Sequence, residues 1–192
     1  MKKILIGTYN KGKFKEISYL ISKKIKKISP QKLKIKSPKE TGKTFPINAE
    51  LKANYFSRFT NLPVISDDSG LCINALGKRP GIYSARWAKK YGSFFNAMRF
   101  ILKKMKKKKN RSATFVCSLS LKYPKGKMVT VTGRINGSIS HKILGNKGFG
   151  YDPIFIPSSK SITFGQMPKL KKIRIDHRYV AFRKMKKKIK IL

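Results

Sequence analysis

Acidic residues are few in this chain: only seven of its 192 residues are Asp or Glu, against 47 Lys and Arg, for a formal charge of +40. Cysteine and histidine are scarcer still, with two each: Cys72, Cys117, His141 and His177. None of these stand at the short spacing of a zinc site, which argues against a structural metal cluster and leaves the two cysteines as buried free thiols. No stretch reaches the roughly 18 consecutive apolar residues of a membrane-spanning helix, so no membrane partner is expected. The basic-then-apolar start, Lys2-Lys3-Ile4-Leu5-Ile6, imitates a secretion signal. Its apolar run falls well short of the roughly 7–15 residues such a signal needs, and it passes straight into polar Thr8-Tyr9-Asn10-Lys11. The expectation is a first buried strand in a cytoplasmic protein. A loop of the form G-x-x-x-x-G-K-[ST] also fails at one position, because Gly7–Phe14 ends on Phe14 and lacks the hydroxyl that a standard P-loop gives to Mg²⁺.

What is present is a chain with 40% apolar residues, too many for disorder and enough for a sizeable core. Lysine is spread through nearly every segment, with runs only at Lys106–Lys109 and Lys186–Lys188. A sequence-specific nucleic-acid reader concentrates arginine on one surface, so uniform lysine reads as solvated faces and no specific nucleic-acid partner is expected. Such a charge still attracts any polyanion, a triphosphate included, in a salt-dependent way.

The seven acids are Glu16, Glu40, Glu50, Asp67, Asp68, Asp152 and Asp176. Several stand in loop-like sequence: Glu40 before Thr41-Gly42, Asp67-Asp68 before Ser69-Gly70, and Asp152 after Gly150-Tyr151. Carboxylates so placed more often hold a cation or move a proton than decorate a surface.

The pattern along the chain is that of an α/β fold with a mixed sheet in one domain, 1–192, with no linker and no internal repeat. Ile4-Leu5-Ile6 is a buried strand leading into a helix with Phe14, Ile17 and Ile21 on one face. Pro46 suits the first turn of a second helix carrying Ile47, Leu51 and Tyr55. Pro63-Val64-Ile65 reads as a strand that ends at Asp67-Asp68-Ser69-Gly70, Leu71-Cys72-Ile73 continues as extended chain, and Phe94, Met98, Ile101, Leu102 and Met105 line another helix. Thr114–Leu121 alternates as a strand and turns through Tyr123-Pro124-Lys125-Gly126 into Val129–Thr132, a hairpin. A glycine-rich loop, Gly145–Gly150, follows, and Ala181, Met185 and Ile189 mark a last helix.

Three constellations carry chemistry, each with a plainer alternative. The loop Thr8-Tyr9-Asn10-Lys11-Gly12-Lys13 places free backbone N–H groups and two lysines at a helix start, a setting that favours polyphosphate; the alternative is an ordinary strand–helix turn. In Ser66-Asp67-Asp68-Ser69-Gly70, adjacent carboxylates call for a cation or hydrogen-bond donors, and one could take a proton from water. Its alternative is an Asx-capped turn. Gly148-Phe149-Gly150-Tyr151-Asp152-Pro153 joins flexible backbone to two aromatics, as a base-stacking platform does, or forms a tight turn with core aromatics.

In this order and spacing the segments resemble the inosine triphosphate pyrophosphatase family. The matching pieces are Thr8–Lys13 with Glu16, Glu40-Thr41-Gly42, Asn48-Ala49 with Lys52-Ala53, Ser66–Leu71, Pro80–Arg86, Gly148–Phe155, Lys172 and His177-Arg178. The resemblance implies hydrolysis of ITP, dITP and XTP to the monophosphate and pyrophosphate with Mg²⁺. It also implies an elongated mixed sheet with two α/β lobes flanking a substrate cleft, and a homodimer. Carried over, Asp68 is the general base and a metal ligand, Glu40 a second ligand, and Asp67 a support of the metal site. Thr8, Asn10, Lys13, Lys52 and Ser69 hold the triphosphate, with Tyr9, Lys11 and Gly12 in the same loop. Phe149 stacks on the base, and Gly150, Tyr151, Asp152, Lys172, His177 and Arg178 complete the nucleoside pocket. The chain departs from the family at Ile47 and Gln166, where Glu is common, and at Asp176, where Ser is usual; these bear on base selectivity. Two other readings stay open: a basic nucleic-acid-associated protein, and a related pyrophosphatase acting on modified pyrimidine nucleotides.

Overall fold

The structure, a computed structural model, describes residues 2–124 and 126–189. In chain order the elements are β1 (Lys3–Ile6), α1 (Lys11–Leu20), β2 (Lys26–Ile28), α2 (Phe45–Ser57), β3 (Val64–Ile73), α3 (Ser84–Lys90), α4 (Phe94–Met105), β4 (Ser112–Lys122), β5 (Met128–Ile139), β6 (Phe155–Pro157), α5 (Lys169–Ile173) and α6 (His177–Lys188). The strands form one sheet in the order β2-β1-β3-β4-β5-β6. It is mixed: β1 runs parallel to both β2 and β3, whereas β6 is antiparallel to β5. The hairpin of β4 and β5 carries paired hydroxyls, Ser118 with Thr132 at 2.8 Å and Ser120 with Thr130 at 3.0 Å. One number rises by two as the other falls by two, the register of an antiparallel pair. Lys125 of the hairpin turn lies outside the described residues.

Two compact units divide the chain. The first takes in residues up to Asp68, Cys117–Gly133 and the chain from Arg178; the second takes in Ser69–Val116 and Arg134–His177. In the first unit, successive side chains of β1 and β3 point to opposite faces, as strand pleating requires. Ile4, Ile6 and Ile65 pack with Ile17 and Ile21 of α1 and with Ala181, Phe182 and Met185 of α6. Leu5 and Val64 pack on the other side with Phe56 of α2 and Ile35. Extending that alternation along β3 sends Asp67 to the α1/α6 face and Asp68 to the α2 face. The second unit has its own core, where Leu71 and Ile73 of β3 meet Ala97, Met98, Ile101 and Met105 of α4 with Phe115, Phe155 and Phe164.

Helix starts follow local chemistry. Asn10 caps α1 by accepting the Lys13 N–H at 3.0 Å, Thr44 caps α2 at the Ile47 N–H, and Ser93 caps α4 at the Asn96 N–H. Pro46 sits in the first turn of α2, where its missing N–H costs nothing.

One expectation is corrected. The Asp67–Gly70 segment does not end a strand: it is the middle of the ten-residue β3. The polar quartet extends as strand because backbone pairing outweighs its turn propensity, with ion pairs at Asp67 and a hydrogen bond from Asn48 at Asp68. The alternating segment Thr114–Leu121 lies in β4, where Ser118 and Ser120 are as buried as Cys117 and Leu119. Strand β2 and helices α3 and α5, all short and lysine-rich, were not legible as elements. Both cysteines are free and buried, as expected. No helix among the described residues is long and apolar enough to cross a membrane.

Candidate active site

The acids dominate the site, and none of the seven is exposed: Glu16, Asp67, Asp68, Asp152 and Asp176 are buried, Glu40 and Glu50 half-buried. In the first unit they gather around the end of β1 and the middle of β3. Gly7 makes this possible, because a Cβ there would lie 2.2 Å from Ser66 Oγ and 2.6 Å from the Phe56 ring. The chain then turns into α1, whose Lys13 ammonium stands 3.1 Å from Asp67 Oδ2. The guanidinium of Arg178 approaches the same oxygen at 3.7 Å and binds Glu16 Oε2 at 2.7 Å. Burial alone would raise the Asp67 pKa, but Lys13, Arg178 and Lys52 hold it down to about 2. Asp67 is therefore a permanent anion locked among cations.

Asp68 faces different company. Its Oδ2 accepts a hydrogen bond from Asn48 Nδ2 at 3.0 Å. Asn48 Oδ1 in turn accepts the Gly42 N–H at 2.8 Å, tying the loop after Glu40 to α2. One turn along α2, Lys52 is ion-paired with Glu40. Burial raises the Asp68 pKa, Lys13 and Lys52 oppose it, Glu40 adds to it, and the balance is upward. For Lys52, burial works against the charged form, yet Asp67, Glu40 and Asp68 together hold its pKa above the ordinary value. The adjacent aspartates are thus driven apart: Asp67 toward permanent ionisation, Asp68 toward readiness for a proton.

The structure therefore brings together Lys13, Glu40, Lys52, Asp67 and Asp68. Asn10 spends its side-chain carbonyl on the helix cap, Thr8 Oγ1 accepts the Asn10 N–H at 3.2 Å, and the Tyr9 hydroxyl donates to the Ile35 carbonyl. Lys11 is exposed and Gly12 half-buried in the first turn of α1. Arg178 pairs with Glu16 and Asp67. Two residues that sequence reasoning left without a role emerge here: Asn48, which orients Asp68, and Glu16, which anchors Arg178. The spacing of Asn48 and Lys52, one helical turn apart, was the available sign of the first.

In the second unit, Asp152 Oδ2 accepts the Phe149 N–H at 2.9 Å and stands 3.2 Å from the Lys172 ammonium. That ammonium also lies 3.4 Å from Asp176 Oδ2, 5.1 Å from the centre of the half-buried Phe149 ring and 5.5 Å from that of Phe164. His177 is buried and stacks on Phe115, centroids 4.7 Å apart and planes 8° from parallel. Tyr151 donates its hydroxyl to the Ser84 carbonyl at 2.9 Å, and burial pushes its phenol pKa far up, so it stays neutral. Gly150 has φ +67°, and Ser69 is half-buried on β3. Gly148 has φ +77°, and a Cβ there would fall 2.2 Å from Asp152 Oδ2. Gly148→Ala should therefore push Asp152 off both partners and lower stability by about 1–3 kcal/mol in a denaturant melt. An unchanged melt would show that the loop relaxes freely.

A mixed α/β sheet, a glycine turn into a capped helix, and buried carboxylates interleaved with Lys13, Lys52 and Arg178 define an α/β protein with a charged site where β1 runs into α1. The match to known proteins is specific: the chain belongs to the Ham1 family, whose model covers residues 4–188. It is 38% identical over 186 residues to the dITP/XTP pyrophosphatase of Caulobacter vibrioides, covering 96% of each chain. It is 42% identical over 192 residues to the dITP/XTP pyrophosphatase of Oceanobacillus iheyensis, covering 97% of this chain and 98% of that one. Among solved structures, the Staphylococcus aureus Ham1 protein superposes with a TM-score of 0.87 at 34% identity, over 98% of both chains.

Proposed function

We propose that this protein is a nucleoside triphosphate pyrophosphatase that cleaves ITP, dITP and XTP to the monophosphate and pyrophosphate. The observation that carries the reading is the divergence of two neighbouring carboxylates, Asp67 held ionised near pKa 2 and Asp68 raised. That split supports giving the proton-accepting role to Asp68: a group whose pKa rises toward working pH is the better proton acceptor. Asp68 takes the proton of the attacking water, whose oxygen joins phosphorus as the phosphoanhydride bond breaks and pyrophosphate leaves. Lys13 and Lys52 lie beside this acceptor and bind the triphosphate, together with Thr8, Asn10, Ser69 and the backbone of the loop through Tyr9, Lys11 and Gly12.

The donor set suits Mg²⁺. Glu40 and Asp68 offer hard oxygens near enough for Glu40 to raise the Asp68 pKa, and Mg²⁺ commonly takes one or two carboxylates plus substrate phosphates. These two carboxylates would hold the ion, which would supply charge neutralisation at the phosphates. Asp67 supports this site by fixing Lys13. Phe149 stacks on the base, with Gly150, Tyr151, Asp152, Lys172 and His177 around it, while Arg178 acts from its pairing with Glu16 and Asp67. A site that hydrogen-bonds a 6-keto oxygen leaves buried donors unmatched when ATP is offered, which penalises ATP.

The functional unit is the whole chain, 1–192, because the family match runs through both compact units and β3, β4 and β5 each pass from one to the other. A cytoplasmic homodimer is the expected setting. The test is pyrophosphate release from ITP, dITP, XTP, GTP and ATP, with Mg²⁺ and with excess chelator. Chelator-sensitive release from ITP well above that from ATP is the expected result. No release from any of the five would overturn the reading.

A further inference from the structure

We propose that the surface formed by α3 and α4 docks single-stranded nucleic acid, holding it by phosphates and base faces without regard to sequence. The first ground is a cluster of rings left half in solvent. Tyr91, the C-cap of α3, stacks on Phe100 of α4 with centroids 4.5 Å apart and planes 24° from parallel. Trp87 of α3 meets these two rings at 82° and 78°, with centroids 6.1 and 5.6 Å away. All three residues are half-buried. Trp87 and Tyr91 pack inward against the core of the second unit, which holds the platform in place. The second ground is a rim of cations. The Lys90 ammonium lies 5.8 Å from the centre of the Tyr91 ring, and that of Lys104 5.6 Å from the centre of the Phe100 ring, both within cation–π reach. These lysines are exposed, as are their neighbours Lys89 and Lys103, and neither helix contains an Asp or Glu.

Charge by itself does not single this surface out, because exposed lysines stand in nearly every segment. The rings do. Lysines attract phosphate whatever the sequence, and every base offers a flat face that stacks on an aromatic ring. A duplex keeps its base faces inside its own stack, and the carboxylates of an acidic peptide come without a flat ring at each step. A single strand is the polyanion that uses both kinds of group at once. Both helices belong to the second unit, whereas Lys13 and Lys52, the lysines given to the triphosphate, belong to the first. The surface is thus a second anion site with side chains of its own.

Trp87 is the only tryptophan of the chain, so its fluorescence reports on this surface alone. The probe is an oligothymidylate of roughly twelve nucleotides, within the span of one such site. It is titrated at low salt into protein already saturated with a methylene-bridged ITP analogue, which keeps the oligonucleotide from the triphosphate site. Strong quenching is the expected result, with log K falling against log salt at a slope of about −3, the value for four phosphates met by Lys89, Lys90, Lys103 and Lys104. Lys90→Gln combined with Lys104→Gln should bring that slope to about −1.4. The same double variant should leave pyrophosphate release from ITP unchanged. Phe100→Ala should weaken binding about tenfold at every salt concentration and keep the slope. Should Phe100→Ala not fold, the two exposed lysines still test the site. A duplex of the same length should bind by charge with little quenching. Equal quenching by the duplex, or binding of the single strand that leaves the Trp87 fluorescence unchanged, would overturn the proposal. So would the absence of binding at low salt.

Discussion

Asp68→Asn should abolish pyrophosphate release, lowering kcat by roughly 10²–10⁴-fold, the range for removing a general base. The amide keeps the shape of the carboxylate and can keep the hydrogen bond from Asn48 after an amide flip, so the fold should hold. What it loses is the ability to take a proton and one hard ligand for a cation. Wild-type activity should accordingly fall on the acid side as pH drops through the raised Asp68 pKa, because only the ionised form accepts a proton. Stopped or continuous pyrophosphate assays across pH, alongside a melt of the variant, check both statements. Native-like turnover in Asp68→Asn would remove Asp68 from the mechanism.

The largest effect on stability is expected from Asp67→Ala. Asp67 is wholly buried and stands between Lys13 and Arg178, so its removal leaves two cations facing each other without their shared anion. Breaking a buried pair by deleting one partner costs about 3–5 kcal/mol, which for a chain of this size lowers Tm by roughly 10 °C. The sign of the pH effect follows from the lowered pKa. Asp67 goes from an ordinary value of 3.8 to about 2 on folding, so its contribution is complete above pH 4 and is lost as pH falls toward 2. The loss amounts to about 2 kcal/mol. Asp67→Asn should flatten the acid limb of the stability curve in that window, measured by urea melts at successive pH values. An unchanged acid limb would mean that other carboxylates govern it.

How much of this was legible beforehand differs between elements. Long segments with strong periodicity, such as α4 with Ala97, Met98 and Ile101 inward, declare themselves because burial acts on every turn of the helix. The full length of strand β3 did not, because Asp67, Asp68 and Ser69 carry turn propensity, and the partners that settle the two aspartates inside a strand come from distant parts of the chain: Lys13 and Arg178 at Asp67, Asn48 at Asp68. The same non-local pairing explains Arg178. Its neighbour His177 lies in the second unit, and nothing local says that the next side chain pairs with Glu16, 162 positions away. Motif order is enough to put forward the individual site residues, but the opposite treatment of two adjacent aspartates required knowing that strand pleating sends them to different faces.

The burial of the carboxylates has a further consequence, for the way the molecule meets its surroundings. Every Asp and Glu is buried or half-buried, whereas exposed lysines stand in nearly every segment, so the outer surface presents charge of one sign. Little on that surface turns an approaching anion away, and the rate of encounter with an anionic substrate should fall as ionic strength rises.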